Sequence, residues 1–194
     1  MNNKQAMNPT GHLTIFKKYE DGSEELYFDE NNVVTSGMAV GFSHLFAASG
    51  GDSIVDYQIV NFLVGSGVTD PTDYGTSTFQ LRAPILGEAD WGSDTGLIIE
   101  EYYPIEDGSI LGSTRAFARI RFSNIHKVTS TSVRYTLVLD RDTLNGKTLD
   151  EVGLFMRNPR GSVTPNPILA AYRPFTEITK TSDFSLIFRW TLQF

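Results

Sequence analysis

Ser43 and His44 stand side by side in GFSHL, a hydroxyl next to an imidazole, the two groups from which nucleophilic catalysis is assembled. The stretch reads G-x-S-x-L, so it lacks the second glycine of a nucleophile elbow, and it falls within a segment of helical spacing instead of a strand-to-helix turn. Successive helix positions do not face one another, so the pair reads as two solvent-facing helix residues. His12, His44 and His126 show no H-x-x-x-H or comparable ligand spacing and read as surface or hydrogen-bonded strand histidines. Glu24-Glu25 and Glu100-Glu101 place carboxylates next to each other. Strand neighbours point to opposite faces, so neither pair can flank one bond as a glycosidase requires.

The nearest approach to a metal motif is DRDTLNGKTLDE. With Asp140 as first ligand, Asp142 stands third and Glu151 twelfth, as in a calcium loop. Leu144 then occupies the fifth position and Asn145 the place that needs glycine, so a turn between two strands accounts for the same residues with fewer exceptions. GSGVTD has two of the glycines of a dinucleotide fingerprint and no following Lys-Ser or Lys-Thr, so it reads as a turn. The chain has no cysteine, which removes thiol catalysis, disulfides and thiolate metal centres. No catalytic constellation, cofactor or metal site is expected, and the chain reads as non-enzymatic.

The formal charge of −7 argues against a general nucleic-acid binder, which needs a surplus of cations on at least one face. Against that acidic background, Arg115, Arg119 and Arg121 share a strand face with Phe117, and Arg134 follows on the next expected strand. Guanidinium forks suit bidentate pairing with carboxylates of a neighbouring subunit, or with carboxylates of the same chain. Trp91, Tyr102 and Tyr103 are aromatic residues in a Gly-, Thr-, Asp- and Pro-rich region and are candidates for partner contacts or for burial in the chain's own core. Trp91 beside Asp90 and Asp94 would also make a platform for a sugar ring.

These residues need a frame, and the frame reads as β. The closing SDFSLIFRWTLQF sets Phe184, Leu186, Phe188, Trp190, Leu192 and Phe194 on one parity, with Ser185, Arg189, Thr191 and Gln193 in the gaps: one apolar and one mostly polar face. A barrel in an outer membrane can end in this way, but the N-terminal MNNKQAMNPTG has no apolar signal core. No apolar run approaches the length of a membrane helix, and no membrane association is expected. Asp21-Gly22 marks a first hairpin and Asn145-Gly146 a second. Thr35 or Ser36 can cap a helix over about 37–48, whose stripe of Met38, Phe42, Leu45 and Phe46 would lie on a sheet. DYQIVNFLVGSG is apolar on both parities and reads as a central strand covered on two sides. LIIEEYY, STRAFARIRF, SVRYTLVLD, LDEVGLFM and PILAAYRPF follow. The expectation is an antiparallel β-sandwich, jelly-roll-like, of nine or ten strands carrying one short amphipathic helix. It comprises a flexible arm at 1–10 and one domain over 11–194, with a long excursion at about 65–113.

Three landmarks occur in order: NVVTSGM opening a helix, FLVGSGVTDPTDYGTSTFQL after a strand, and LDEVGLF followed by ILAAYRPFTEITKTSDFSLIFRWTLQF. Together they resemble a recurrent class of tailed-bacteriophage virion proteins, in which an E-I-G-L-F strand precedes a closing K-T-x-x-F-x-L-x-F-x-W strand. The likeness spans about residues 32–194. Glu151-Val152-Gly153-Leu154-Phe155 stands for the usual E-I-G-L-F, and roughly 83–130 matches no part of the pattern. The resemblance implies a structural subunit of the tail, baseplate, collar or fibre-attachment region, made in the bacterial cytoplasm and carried on the virion. It implies other virion proteins as partners, a homo-oligomer such as a trimer or hexameric ring, and no catalytic residues. A capsid decoration or head-fibre protein, or a module binding host-surface glycans, is the alternative.

Overall fold

A computed structural model describes residues 9–47, 59–65, 97–102, 115–120, 124–156 and 168–194. Among them are β1 (Thr10–Tyr19), β2 (Glu24–Val34), α1 (Ser36–Phe46), β3 (Ile59–Gly65), β4 (Leu97–Tyr102), β5 (Arg115–Ile120), β6 (Ile125–Thr129), β7 (Ser132–Leu139), β8 (Thr148–Met156), β9 (Ile168–Thr179) and β10 (Phe184–Gln193). The strands form one antiparallel ladder in the order β4-β5-β3-β8-β9-β2-β1-β10-β7-β6. The mainly-β antiparallel architecture with one short helix is therefore present among the described residues, curled as a half-barrel.

The hinge of the curl is β2. Its residues from Glu24 to Asn32 pair with β1, whereas Val33 and Val34 pair with Tyr172 and Ala171 of β9. Where β2 and β9 diverge, Arg173 fills the gap: it is buried, ion-paired to Glu30 and stacked 5.1 Å from the Phe28 ring. Aromatic side chains from the two halves meet inside, Phe62 of β3 on Trp190 of β10 at 6.1 Å and Phe175 of β9 on Phe188 of β10 at 6.1 Å. Such tilted pairs bury large apolar area in the ring geometry that aromatics favour.

The alternating terminal stripe is met as expected. Leu186, Phe188, Trp190 and Leu192 are fully buried, Phe184 nearly so, and Phe194 is half-buried. The stripe faces the protein's own core. Trp190 satisfies its indole N–H by donating to Asn32 Oδ1 at 2.8 Å. The central position expected for β3 is met, since it lies inside the ladder between β5 and β8; Ile59, Phe62 and Val64 are buried, and the Val60 and Leu63 side chains lie outside the described ones.

The first hairpin turns at Asp21-Gly22. Gly22 has φ +85°, a region costly for side chains with a Cβ, and Asp21 Oδ1 accepts from the Ser23 amide and hydroxyl. The second expected hairpin is a correction. β7 pairs with β10 and β6, β8 with β3 and β9, so residues 140–147 cross from one half of the ladder to the other. Gly146, at φ +78°, serves that crossing instead of a two-residue turn.

The helix also departs from expectation in two respects. Thr35 is the N-cap, but its hydroxyl makes no cap bond and donates instead to Leu169 O of β9. It fastens the helix entrance to the sheet together with Thr35 N donating to Ala170 O at 3.1 Å. Of the expected stripe, Met38 is buried and Phe42 packs half-buried against the core and, at 6.0 Å, the Phe194 ring, whereas Phe46 does not join it; Gly41 is buried beside them. A Cβ on Gly41 would lie 2.2 Å from Met156 Sδ, so glycine sets how closely α1 approaches β8. Phe46, at the C-terminal end of α1, is 85% exposed. The 1–10 arm falls mostly outside the described residues, although Thr10 already pairs with Gln193.

Candidate interaction surface

The outer face of β2, β1, β10 and β7 is built by register. Phe16 of β1 stands opposite Leu26 of β2 on one side and Ile187 of β10 on the other, and Ile187 stands opposite Val138 of β7. These four residues form one apolar row across four strands, on the face opposite the core. Leu26 is 54% exposed, Phe16 and Val138 are half-buried, and Ile187, in the middle, is 7% exposed.

Polar rows flank it. On one side Asp29, Thr14, Arg189 and Thr136 are register neighbours, followed by Asn31, His12, Thr191 and Arg134. On the other side lie Glu24, Lys18 and Ser185. His12 Nε2 is 2.6 Å from Asp29 Oδ1 and its Nδ1 is 3.2 Å from Asn31 Oδ1, while Thr14 donates to the same Asp29 oxygen at 3.1 Å. Burial works against charge on His12, but the hydrogen bonds to Asn31 and Asp29 and the Asp29 charge outweigh it and raise its pKa. The bond from His12 is the main reason the Asp29 carboxyl is held below its ordinary value. Both ring nitrogens face acceptors, so His12 is a cross-strand tie and has no nitrogen left to activate a hydroxyl. Arg189 lies 4.5 Å over the Phe16 ring and donates to Glu24 at 3.3 Å. Its flat cation covers part of the apolar row.

Other chemistry-bearing residues among the described ones have structural partners. Ser43 Oγ donates to Val40 O of its own helix at 2.9 Å, and the His44 side chain lies outside the described ones. In the calcium-like stretch, Asp140 Oδ1 accepts from Thr143 Oγ1 and the Asp142 amide, and Glu151 is buried on β8, accepting from the Tyr172 hydroxyl at 3.0 Å. The cation beside this loop is Lys180. Its ammonium, fully buried, donates to Asn145 Oδ1 at 3.2 Å, Arg141 O at 3.3 Å and Thr181 O at 2.7 Å. Burial pulls its pKa down to about 8 against the opposing pull of Asp140, Asp142 and Asp183. Among the described residues no group of three or more His, Cys, Asp or Glu is placed to hold a metal ion, and no helix is long and apolar enough to cross a membrane.

Of the residues singled out from the sequence, Tyr102 and Arg115 are register partners on β4 and β5, and Arg119 stands opposite Ile98 and Asn61; their side chains lie outside the described ones. Trp91, Tyr103 and Arg121, and most of the 65–113 excursion, lie outside the described residues. Arg134 does not continue the β5 row, because β5 and β7 sit in opposite halves of the ladder. Sequence reasoning missed the Leu26–Phe16–Ile187–Val138 row. Its signal was present as apolar residues on the polar parity of strands whose other parity already supplied the core. Comparison with protein-family models, curated proteins and solved structures gives no match to the chain.

Proposed function

We propose that the chain is a non-enzymatic structural subunit of a tailed-bacteriophage particle, acting in the tail, baseplate, collar or fibre-attachment region and joined to its neighbours through folded faces. The observation that carries the reading is where the phage-like C-terminal pattern falls. Val152, Leu154 and Phe155 on β8, and Phe184, Leu186, Phe188 and Trp190 on β10, are all buried. The resembling residues therefore hold two strands in one core, which supports a rigid structural subunit. The apolar row on the opposite face supplies a surface for assembly.

Negative-stain imaging of phage particles carrying a gold-labelled copy of the chain tests this. Label at one recurrent position on the virion is expected, and that position separates tail from head. Particles without label, with the chain recovered only as free protein, would remove the proposal.

A further inference from the structure

We infer that the outer face of β2, β1, β10 and β7 binds the same face of a second copy of this chain, about a two-fold axis parallel to the strands and passing between β1 and β10. The inference rests on the assembly reading above and names one partner and one geometry for it.

Charge placement on the face argues for a second copy. Among the described outward-facing residues of these strands, the carboxylates Glu24 and Asp29 both lie on β2, whereas the cations Lys18, Arg189 and Arg134 lie on β1, β10 and β7. Arg189 already pairs with Glu24 and His12 with Asp29 within the copy, so the face is acidic along its β2 edge and carries Arg134 at the opposite, β7 edge. A rotation that exchanges β1 with β10 and β2 with β7 lays each copy's β2 edge over the other's β7 edge. Arg134, exposed on β7, then faces Asn31 and Asp29 of the second copy, where a guanidinium fork can engage a carboxylate.

The same rotation carries the apolar row onto itself. Leu26 meets the second copy's Val138, and Phe16 meets its Ile187, so the most exposed apolar side chain of the row leaves water at both ends of the contact. An isologous contact requires this self-complementarity. Four strands at about 4.8 Å spacing and about 8 residues at 3.4 Å rise give a flat face of roughly 500 Å² per copy. The pair buries roughly 1,000 Å², at the lower edge of specific interfaces, where weak, reversible association is expected.

The absence of native cysteine makes the geometry directly testable in the full chain. Within one copy, Leu26 and Val138 are three strand spacings apart, about 14 Å. The rotation brings Leu26 of one copy against Val138 of the other across stacked sheets about 10 Å apart, beyond the separation a disulfide allows but within reach of a short bismaleimide. Treated with that cross-linker, the double variant Leu26→Cys, Val138→Cys should give a covalent dimer, and either single variant should not. In parallel, sedimentation of the unmodified chain from 1 to 100 μM should show a monomer–dimer equilibrium. Leu26→Lys should weaken that equilibrium at least tenfold with the circular dichroism spectrum and melting temperature unchanged. A monomer at every concentration overturns the inference, as does an oligomer without the 26–138 cross-link. Neither result touches the particle-labelling experiment, which judges the assembly reading separately.

Discussion

Strands β8 and β10 are both interior to the ladder, yet they are covered differently. β8 is buried at every residue from Leu149 to Met156, with two carboxylates, Asp150 and Glu151, inside that run. β10 alternates, burying one parity and leaving Ser185, Arg189, Thr191 and Gln193 at least partly open. The Met156 end of β8 lies under α1, whereas the outer side of β10 carries no helix among the described residues. The comparison teaches where apolar residues are informative. On β8 they report a second covering layer. On the outer parity of β10, Ile187 is the exception to a polar pattern, and it sits in an apolar row that faces away from the core.

The largest effect should come from the shared core. Trp190→Ala removes a fully buried ring that packs on Phe62 of the opposite half and leaves Asn32 Oδ1 without its donor. A loss of about 4 kcal/mol is expected in urea denaturation. Leu26→Ala, on the outer row, should stay within about 0.5 kcal/mol for the monomer. Similar losses at the two positions would erase the distinction between core stripe and outer row.

The second effect belongs to the crossing loop. Lys180→Met keeps the stem but leaves Asn145 Oδ1 and the carbonyls of Arg141 and Thr181 without their donor, at about 3 kcal/mol. The wild-type chain carries a pH signature here. Because the folded pKa of about 8 lies below the ordinary 10.5, the unfolded chain keeps a proton that the folded chain releases between these values. Stability therefore rises with pH across that window. Thermal melts at pH 7.5 and 9.5 should show this increment in wild type and lose it in Lys180→Met.

Legibility followed the physics of alternation. The β10 stripe, the Asp21-Gly22 turn and the position of the helix depend on local periodicity and backbone preference, and were readable. Asn145-Gly146 has the same turn chemistry as Asp21-Gly22, but whether two strands pair or part is decided by distant partners, here β10 for β7 and β9 for β8. The same holds for Lys180. Nothing near it in sequence tells a surface lysine from a buried one, since the carbonyl of Arg141 that it meets is brought by the loop crossing. Gly41 is one of two glycines in α1, and only the Met156 side chain, which arrives from β8, distinguishes it.

That contact gives a third test. Gly41→Ala gains helix propensity of about 1 kcal/mol but forces Met156 to move, because the added Cβ would lie 2.2 Å from its sulfur. The far end of a flexible side chain can yield, so a net loss of about 1 kcal/mol is expected. In a double-mutant cycle with Met156→Ala, the two changes should couple by at least 0.5 kcal/mol. Additivity would separate α1 from β8.

The smallest effect lies on the open face, at His12 and Asp29, with side chains 46% and 49% exposed. The folded pKa of His12 is raised above 6.5 and that of Asp29 lowered below 3.8. Stability from His12 is thus fully present below about pH 6.5 and fades as pH rises through its folded value; that from Asp29 is present above about pH 4 and fades as pH falls. The pair contributes most between those limits, and at this exposure roughly 0.2–1 kcal/mol. Wild type should exceed His12→Gln in stability at pH 5.5 by that amount, with the difference shrinking at pH 8.5 and in 1 M salt. Lys180 is shielded from solvent, so its pH increment should survive the same salt. Equal salt sensitivity at both places would mean that the crossing loop is as open to water as the outer face.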